Sequence, residues 1–331
     1  MSSNSGVAVA NARTSAPAPV TSLQRAAIIT AIVAVLPYLA FKVLWLSGSS
    51  VGSTTSAGGE GMLAPRFLIG NTITLAMMVV GVAFVVALTR PWAQRIPAPV
   101  VFVLGAGAAG LLGPILLGLP PGILIQALIE GEVRLAEQGM HPWVFGLVYA
   151  GFCALGVAMA IVVGAYVIRR WGDLLNTPPP APSPTMIVCG ALGILPFSCA
   201  MAFWAIAGPG STGPQGMEQP AQRMVLAVTA LFGLLCLLWP LLSRHLGRWP
   251  RTAWLVTWSG CCVVALQGPT QILLAQGGEI APVVVGIAVL ATPGASLFGL
   301  AVLRTHLRRL GRTHLPSSRD RPRLDGADRS A

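Results

Sequence analysis

Leu36 to Gly48 reads LPYLAFKVLWLSG, and Leu195 to Gly208 reads LPFSCAMAFWAIAG. In each stretch Leu-Pro-aromatic interrupts an apolar run, and a tryptophan follows eight residues after the proline, Trp45 after Pro37 and Trp204 after Pro196. A mid-helix proline removes a backbone hydrogen bond and bends the helix, which membrane helices tolerate when neighbours satisfy the freed carbonyl. Kinks are therefore expected at Pro37 and Pro196. The echo marks an internal repeat, and its two copies differ at one telling position, where Lys42, the single lysine of the chain, is answered by Met201.

Working outward, 54% of the 331 residues are hydrophobic and only 9% are charged, a balance that points to a polytopic membrane protein and not to two or three soluble domains. Apolar windows of about 20 residues, enough to cross a hydrocarbon core of roughly 30 Å, recur along the chain. They fall near residues 26–47, 67–89, 98–119, 144–168, 185–207, 224–243, 253–275 and 282–303. The expected fold is all-α, with about eight transmembrane helices arranged as two parallel four-helix repeats.

The formal charge of +11 follows topology. With a cytoplasmic N-terminus, the inner segments collect Arg13, Arg25, Arg90, Arg95, Arg169, Arg170, Arg244, Arg248, Arg251 and the arginines of the tail from Arg304 onward. The outer segments keep Arg66, Arg134 and Arg223, together with Glu60, Glu130, Glu132, Glu137, Glu218 and Glu279. The positive-inside rule then places both termini in the cytoplasm, and the excess of arginine over lysine, 20 to 1, with abundant alanine, glycine and proline, suggests a high-GC bacterium and hence its inner (cytoplasmic) membrane. The expected partners are the bilayer, anionic lipid at the Arg-rich face and a membrane-protein partner; nucleic acid is not among them.

Further landmarks recur in the same order. Gly61-Met62-Leu63-Ala64-Pro65 precedes Arg66, as Gly216-Met217-Glu218-Gln219-Pro220 precedes Arg223; Leu112-Gly113-Pro114 is answered by Gln267-Gly268-Pro269. The resulting division is a disordered cytoplasmic arm over 1–22, a first four-helix repeat over 23–172, a Pro-rich linker over 173–184, a second repeat over 185–311 and a basic disordered tail over 312–331. Each unit has an even number of spans, so the two insert in the same orientation. Leu119 to Trp143 is the largest outer loop, and Ile123 to Gln138 within it reads as a short interfacial helix.

Gly105-x-Gly107-x-x-Gly110 fits a dinucleotide fingerprint, but the run continues apolar on both sides, leaving no sheet to carry it. Gly105 with Ala109, Ala106 with Gly110 and Ala109 with Gly113 instead make small-xxx-small packing faces. Six cysteines, Cys153, Cys189, Cys199, Cys236, Cys261 and Cys262, lack metal-ligand spacing and read as packing residues. Trp45, Trp143 and Trp204 fall near the outer boundary, and Trp92, Trp171, Trp249 and Trp254 near the inner one, as aromatic belts do. No cofactor or metal is implied, and the lack of intramembrane acids or histidines argues against an enzyme.

Lys42 has two readings. Its stem snorkels toward the headgroups or pairs structurally, or its charge marks a substrate or ion path. Tyr38, Asn71, Thr72, Gln126, Gln267, Gln271 and Glu279 fall at a similar depth, and with Lys42 they would line a shallow outward vestibule, with Glu279 a partner for the ammonium. The pattern of Leu36-Pro37-Tyr38, Lys42, Trp45 and Gly48 resembles that of polytopic inner-membrane proteins of actinobacteria, a resemblance confined to the first span and its echo. It implies a source and carries no activity with it. The leading expectation is a transporter-like protein; a non-catalytic scaffold or assembly partner is the alternative, and a membrane enzyme acting on a lipid-type substrate the third.

Overall fold

The computed structural model describes residues 20–53, 65–133, 141–242, 249–274 and 280–313, and these are helical with short connections. The long helices are α1 (Ser22–Leu46), α2 (Pro65–Leu88), α3 (Ala98–Glu130), α4 (Pro142–Trp171), α5 (Pro184–Ala207), α6 (Pro220–Leu242), α7 (Pro250–Leu274) and α8 (Pro282–Thr313). Their starts follow from local chemistry. Thr21 and Gln24 form a reciprocal capping box before α1, and α2 and α4 to α8 open on proline, whose missing N–H costs nothing in the first turn. Pro37 and Pro196 lie inside unbroken helices. Gly48 and Gly208, both at positive φ, follow the ends of α1 and α5. The proposed arm and tail fall almost wholly outside the described residues.

Seven of these helices are long and apolar enough to cross a membrane, so the chain is an all-helical, multi-pass membrane protein. The exception is α7, where an eighth equally apolar span was expected over 253–275. Thr257, Ser259, Gln267 and Gln271 are buried on it. The polarity is tolerated because these side chains lie on the buried faces of α7, which packs against α3, α6 and α8.

A second departure concerns α3. The stretch after residue 119 was expected to leave the span and form a separate interfacial helix; instead α3 runs unbroken through Pro114, Pro120 and Pro121 to Glu130 and stops at Gly131, φ +74°. Its 33 residues cover about 50 Å, well beyond a 30 Å core. Gly110, Pro114, Gly118, Gly122 and Gln126 form a buried ridge four residues apart that lies first against α7 and then against α6. A Cβ on Gly118 would come within 2.7 Å of Val225 Cα, and one on Gly122 within 2.6 Å of the Ala221 carbonyl oxygen. This ridge joins the two halves. Of the glycines expected to pack, Gly110 does so closely against α7 and Gly105 makes ordinary contact with Val163 of α4, while Gly113 faces open space, as does Gly107.

Two prolines, Pro114 on α3 and Pro269 on α7, expose the logic of the packing. Pro114 has no N–H for the Gly110 carbonyl, and Gln267 Nε2 of α7 donates to that oxygen at 2.8 Å. Pro269 likewise frees the Ala265 carbonyl, and Thr292 Oγ1 of α8 donates to it at 3.0 Å. Both of these breaks are thus repaired by a side chain of a helix packed alongside.

Within 22–171, α1 packs on α2 and α4, and α3 on α4; within 184–313, α5 packs on α6 and α8, and α7 on both α6 and α8. The difference lies between the second and third helices. α6 and α7 pack along their lengths, whereas α2 and α3 barely touch. The linker between the halves is held, with Trp254 Nε1 donating to the Thr177 carbonyl at 2.8 Å, His306 Nε2 to that of Leu174 at 2.8 Å, and Arg251 to Asn176.

Candidate functional site: a buried lysine beside a lateral cleft

Lys42 occupies the buried stripe of α1 with Tyr38 and Trp45, only 8% exposed. Its ammonium donates a 2.5 Å hydrogen bond to Asn71 Oδ1 on α2 and stands 4.9 Å from the Tyr38 ring centroid and 5.0 Å from that of Trp45. The aromatic faces supply part of the solvation that water would give a cation. The cluster is closed at the Gly48 end by residues 49–53. Trp45 Nε1 donates to the Val51 carbonyl at 2.9 Å, and Gly52 accepts from the His141 backbone N–H at 2.8 Å. Asn71 is buried, and its Nδ2 has no partner among the described residues.

Beside this cluster the separation of α2 from α3 leaves a cleft of about 930 Å³. Residues of α2, α3, α4, α7 and α8 line it, and Gln215 to Met217 with Gln222 and Val225 at the start of α6 complete it. The lining is graded along the helices. Its polar side chains, Thr74, Gln215, Gln222, Gln267, Thr270 and Gln271, lie toward the Gly48 end among apolar ones such as Leu119, Phe145 and Val225, while Phe84, Phe102, Met159, Trp258 and Leu300 line the rest. Phe102 and Trp258 meet with ring centroids 3.8 Å apart, and the rim residues Met77, Val80, Val103 and Leu300 are exposed. Such a space suits an amphiphile with a long apolar portion.

The cleft and the lysine cluster adjoin. Asn71, Thr74 and Met78 share one face of α2, and the latter two line the cleft. On the α1 side, Tyr38 meets Phe152 edge-on at 5.2 Å, and Phe152 also lines the cleft.

The residues expected to share a vestibule are distributed differently. Lys42, Tyr38 and Asn71 come together. Thr72 is exposed and donates to the Leu68 carbonyl of its own helix. Gln126 is fully buried on α3, donating to Glu130 Oε2 at 2.9 Å and to Gln219 Oε1 at 3.2 Å, so it braces α3 against the start of α6. Gln267 repairs the Gly110 carbonyl, and Gln271 lines the cleft. Glu279 lies outside the described residues. The aromatic belt also needs correction. Trp92, Trp143 and Trp249 are exposed, but Trp45, Trp204 and Trp254 are buried in protein, because their rings fill the interfaces of α1, α5 and α7.

Sequence reasoning missed the cleft. Its one sequence signal is the run of small residues in α3, where Gly107 looks into open space instead of meeting another helix. All six cysteines are free, and no group of three metal-ligating side chains occurs among the described residues. Compared with known protein families, curated proteins and solved structures, the chain matches none.

Proposed function

We propose that this chain is a transporter-like protein of the bacterial cytoplasmic membrane that admits an amphiphilic, lipid-type substrate sideways from the bilayer into the cleft between α2 and α3. The observation that carries the reading is the graded cleft, with its polar side chains gathered toward the Gly48 end and an apolar remainder, whose rim is formed by exposed apolar side chains of helices long and apolar enough to cross a membrane. The chain is read as two parallel four-helix repeats with both termini cytoplasmic. Supporting this are Tyr38, Lys42 and Trp45 on α1, buried as are Phe197, Met201 and Trp204 at the matching positions of α5, and the paired repairs at Pro114 and Pro269. On that reading the first repeat is a parted version of the closed second one, and sites at altered repeats are a common transporter arrangement.

The test is transbilayer movement of a fluorescent, chain-labelled phospholipid in proteoliposomes, read by an impermeant quencher. Wild-type protein is expected to expose lipid of the inner leaflet, and Gly107→Trp, which fills the cleft from a position with nothing within 4 Å of a Cβ, to abolish the effect. Wild-type vesicles indistinguishable from protein-free ones would remove the transport reading.

A further inference from the structure

Resting on the cleft reading above, we infer that the substrate is an anionic amphiphile, an acidic head group on an acyl chain, and that Lys42 and Asn71 form the seat for its charge.

A buried cation is costly unless a counter-charge or dense hydrogen bonding offsets the lost hydration. Lys42 has a single neutral oxygen, Asn71 Oδ1, and two aromatic faces; no carboxylate among the described residues makes an ion pair with it. An ammonium has three donors, so one hydrogen bond leaves it short of acceptors. Asn71 adds another unmatched donor, its buried Nδ2. Two donor groups, one of them charged, converge with too few acceptors. An acidic head group supplies a counter-charge and acceptor oxygens at once.

The placement of this seat is not shared by the two halves. Where α2 and α3 part, the adjoining position of α1 is Lys42; where α6 and α7 close, the matching position of α5 is Met201, 1% exposed. Charge and cleft occur together, and both are absent together. A structural lysine would serve the closed half as well as the open one, whereas a ligand-binding lysine is needed only beside the cleft.

The direction of the ligand follows. Asn71 lies one turn from Thr74 toward the Gly48 end, and the polar cleft residues lie toward that same end. The head group therefore sits at the Gly48 end, and the chain extends past Met78 and Phe152 toward Phe84 and Trp258.

The experiment uses the full-length protein in a neutral maltoside detergent with two photoreactive probes, a diazirine-bearing palmitate and its methyl ester, and maps the labelled residues by mass spectrometry. Palmitate is expected to label α2 and α3 roughly tenfold more than the ester at equal concentration, the factor one charged hydrogen bond contributes. Lys42→Arg should keep the preference, and Lys42→Met should remove it while leaving ester labelling unchanged, which also shows that the variant is folded. Excess acetate should not displace the palmitate probe; displacement would assign the seat to a small free anion and overturn the lipid assignment. Equal labelling of the wild type by both probes would overturn the charge inference and leave the cleft standing. Absence of cleft labelling by either probe would overturn the cleft reading itself.

Discussion

The amide of Gln267 reaches across from α7 to the one carbonyl of α3 that Pro114 leaves without a helical partner, Gly110 O, at 2.8 Å. The residue is both polar and buried, and its position is explained by a proline on another helix. Inter-helical hydrogen bonds of this kind average about 0.6 kcal/mol in membranes and reach roughly 1.7 kcal/mol. Gln267→Leu should therefore destabilise the protein by about 1 kcal/mol in detergent thermal unfolding. In a Pro114→Ala background, where the helix regains its own bond, the same substitution should cost less. Equal costs in both backgrounds would refute the repair.

The glycine ridge of α3 makes a sharper contrast. Gly118→Ala and Gly122→Ala each place a methyl group within 3 Å of α6 backbone atoms and should cost about 1–3 kcal/mol, as overpacking does. Gly113→Ala meets nothing within 4 Å and should be neutral or mildly stabilising by helix propensity, up to about 1 kcal/mol. Melting temperatures of the three variants, ranked side by side, check this.

Lys42 and Asn71 should behave as a coupled pair. Asn71→Leu strands the buried ammonium and is expected to destabilise more than the double variant Lys42→Met, Asn71→Leu, since removing both partners leaves no unmatched charge. A double-mutant cycle on thermal unfolding measures the coupling. Additive effects would mean that the 2.5 Å contact carries no energy.

Topology is testable with single cysteines in a background lacking the native six. An impermeant thiol reagent applied to spheroplasts should label a cysteine at Ser211, in the exposed turn after α5, and spare one at Ser183, in the linker, until the membrane is broken. The opposite pattern would invert the assigned orientation.

Much of the architecture is legible in the residues alone, because membrane helices are written locally. Apolar length places α1, α2, α4, α5, α6 and α8, and proline punctuation places most of their starts. The local rule misplaces the end of α3, since the Pro120-Pro121 pair reads as a stop and only the close fit of Gly118 and Gly122 against α6 shows why the helix continues. It also misjudges α7, whose polar side chains Thr257, Ser259 and Gln267 are acceptable because they are buried where it packs against three other helices.

The Leu36 to Gly48 stretch and the similar one at Leu195 suggest, on the proposed repeat reading, two related units, and they single out Lys42 as the position where the two stretches differ. The tertiary structure decided what that difference accompanies. Whether α2 lies against α3 depends on side chains spread over six helices, a sum that no local pattern records, and so the cleft beside the lysine is visible only in the folded chain. Burial works the same way. Spacing places Tyr38, Lys42 and Trp45 on one stripe of α1, but only packing against α2 and α4 turned that stripe inward, toward Asn71 and away from lipid.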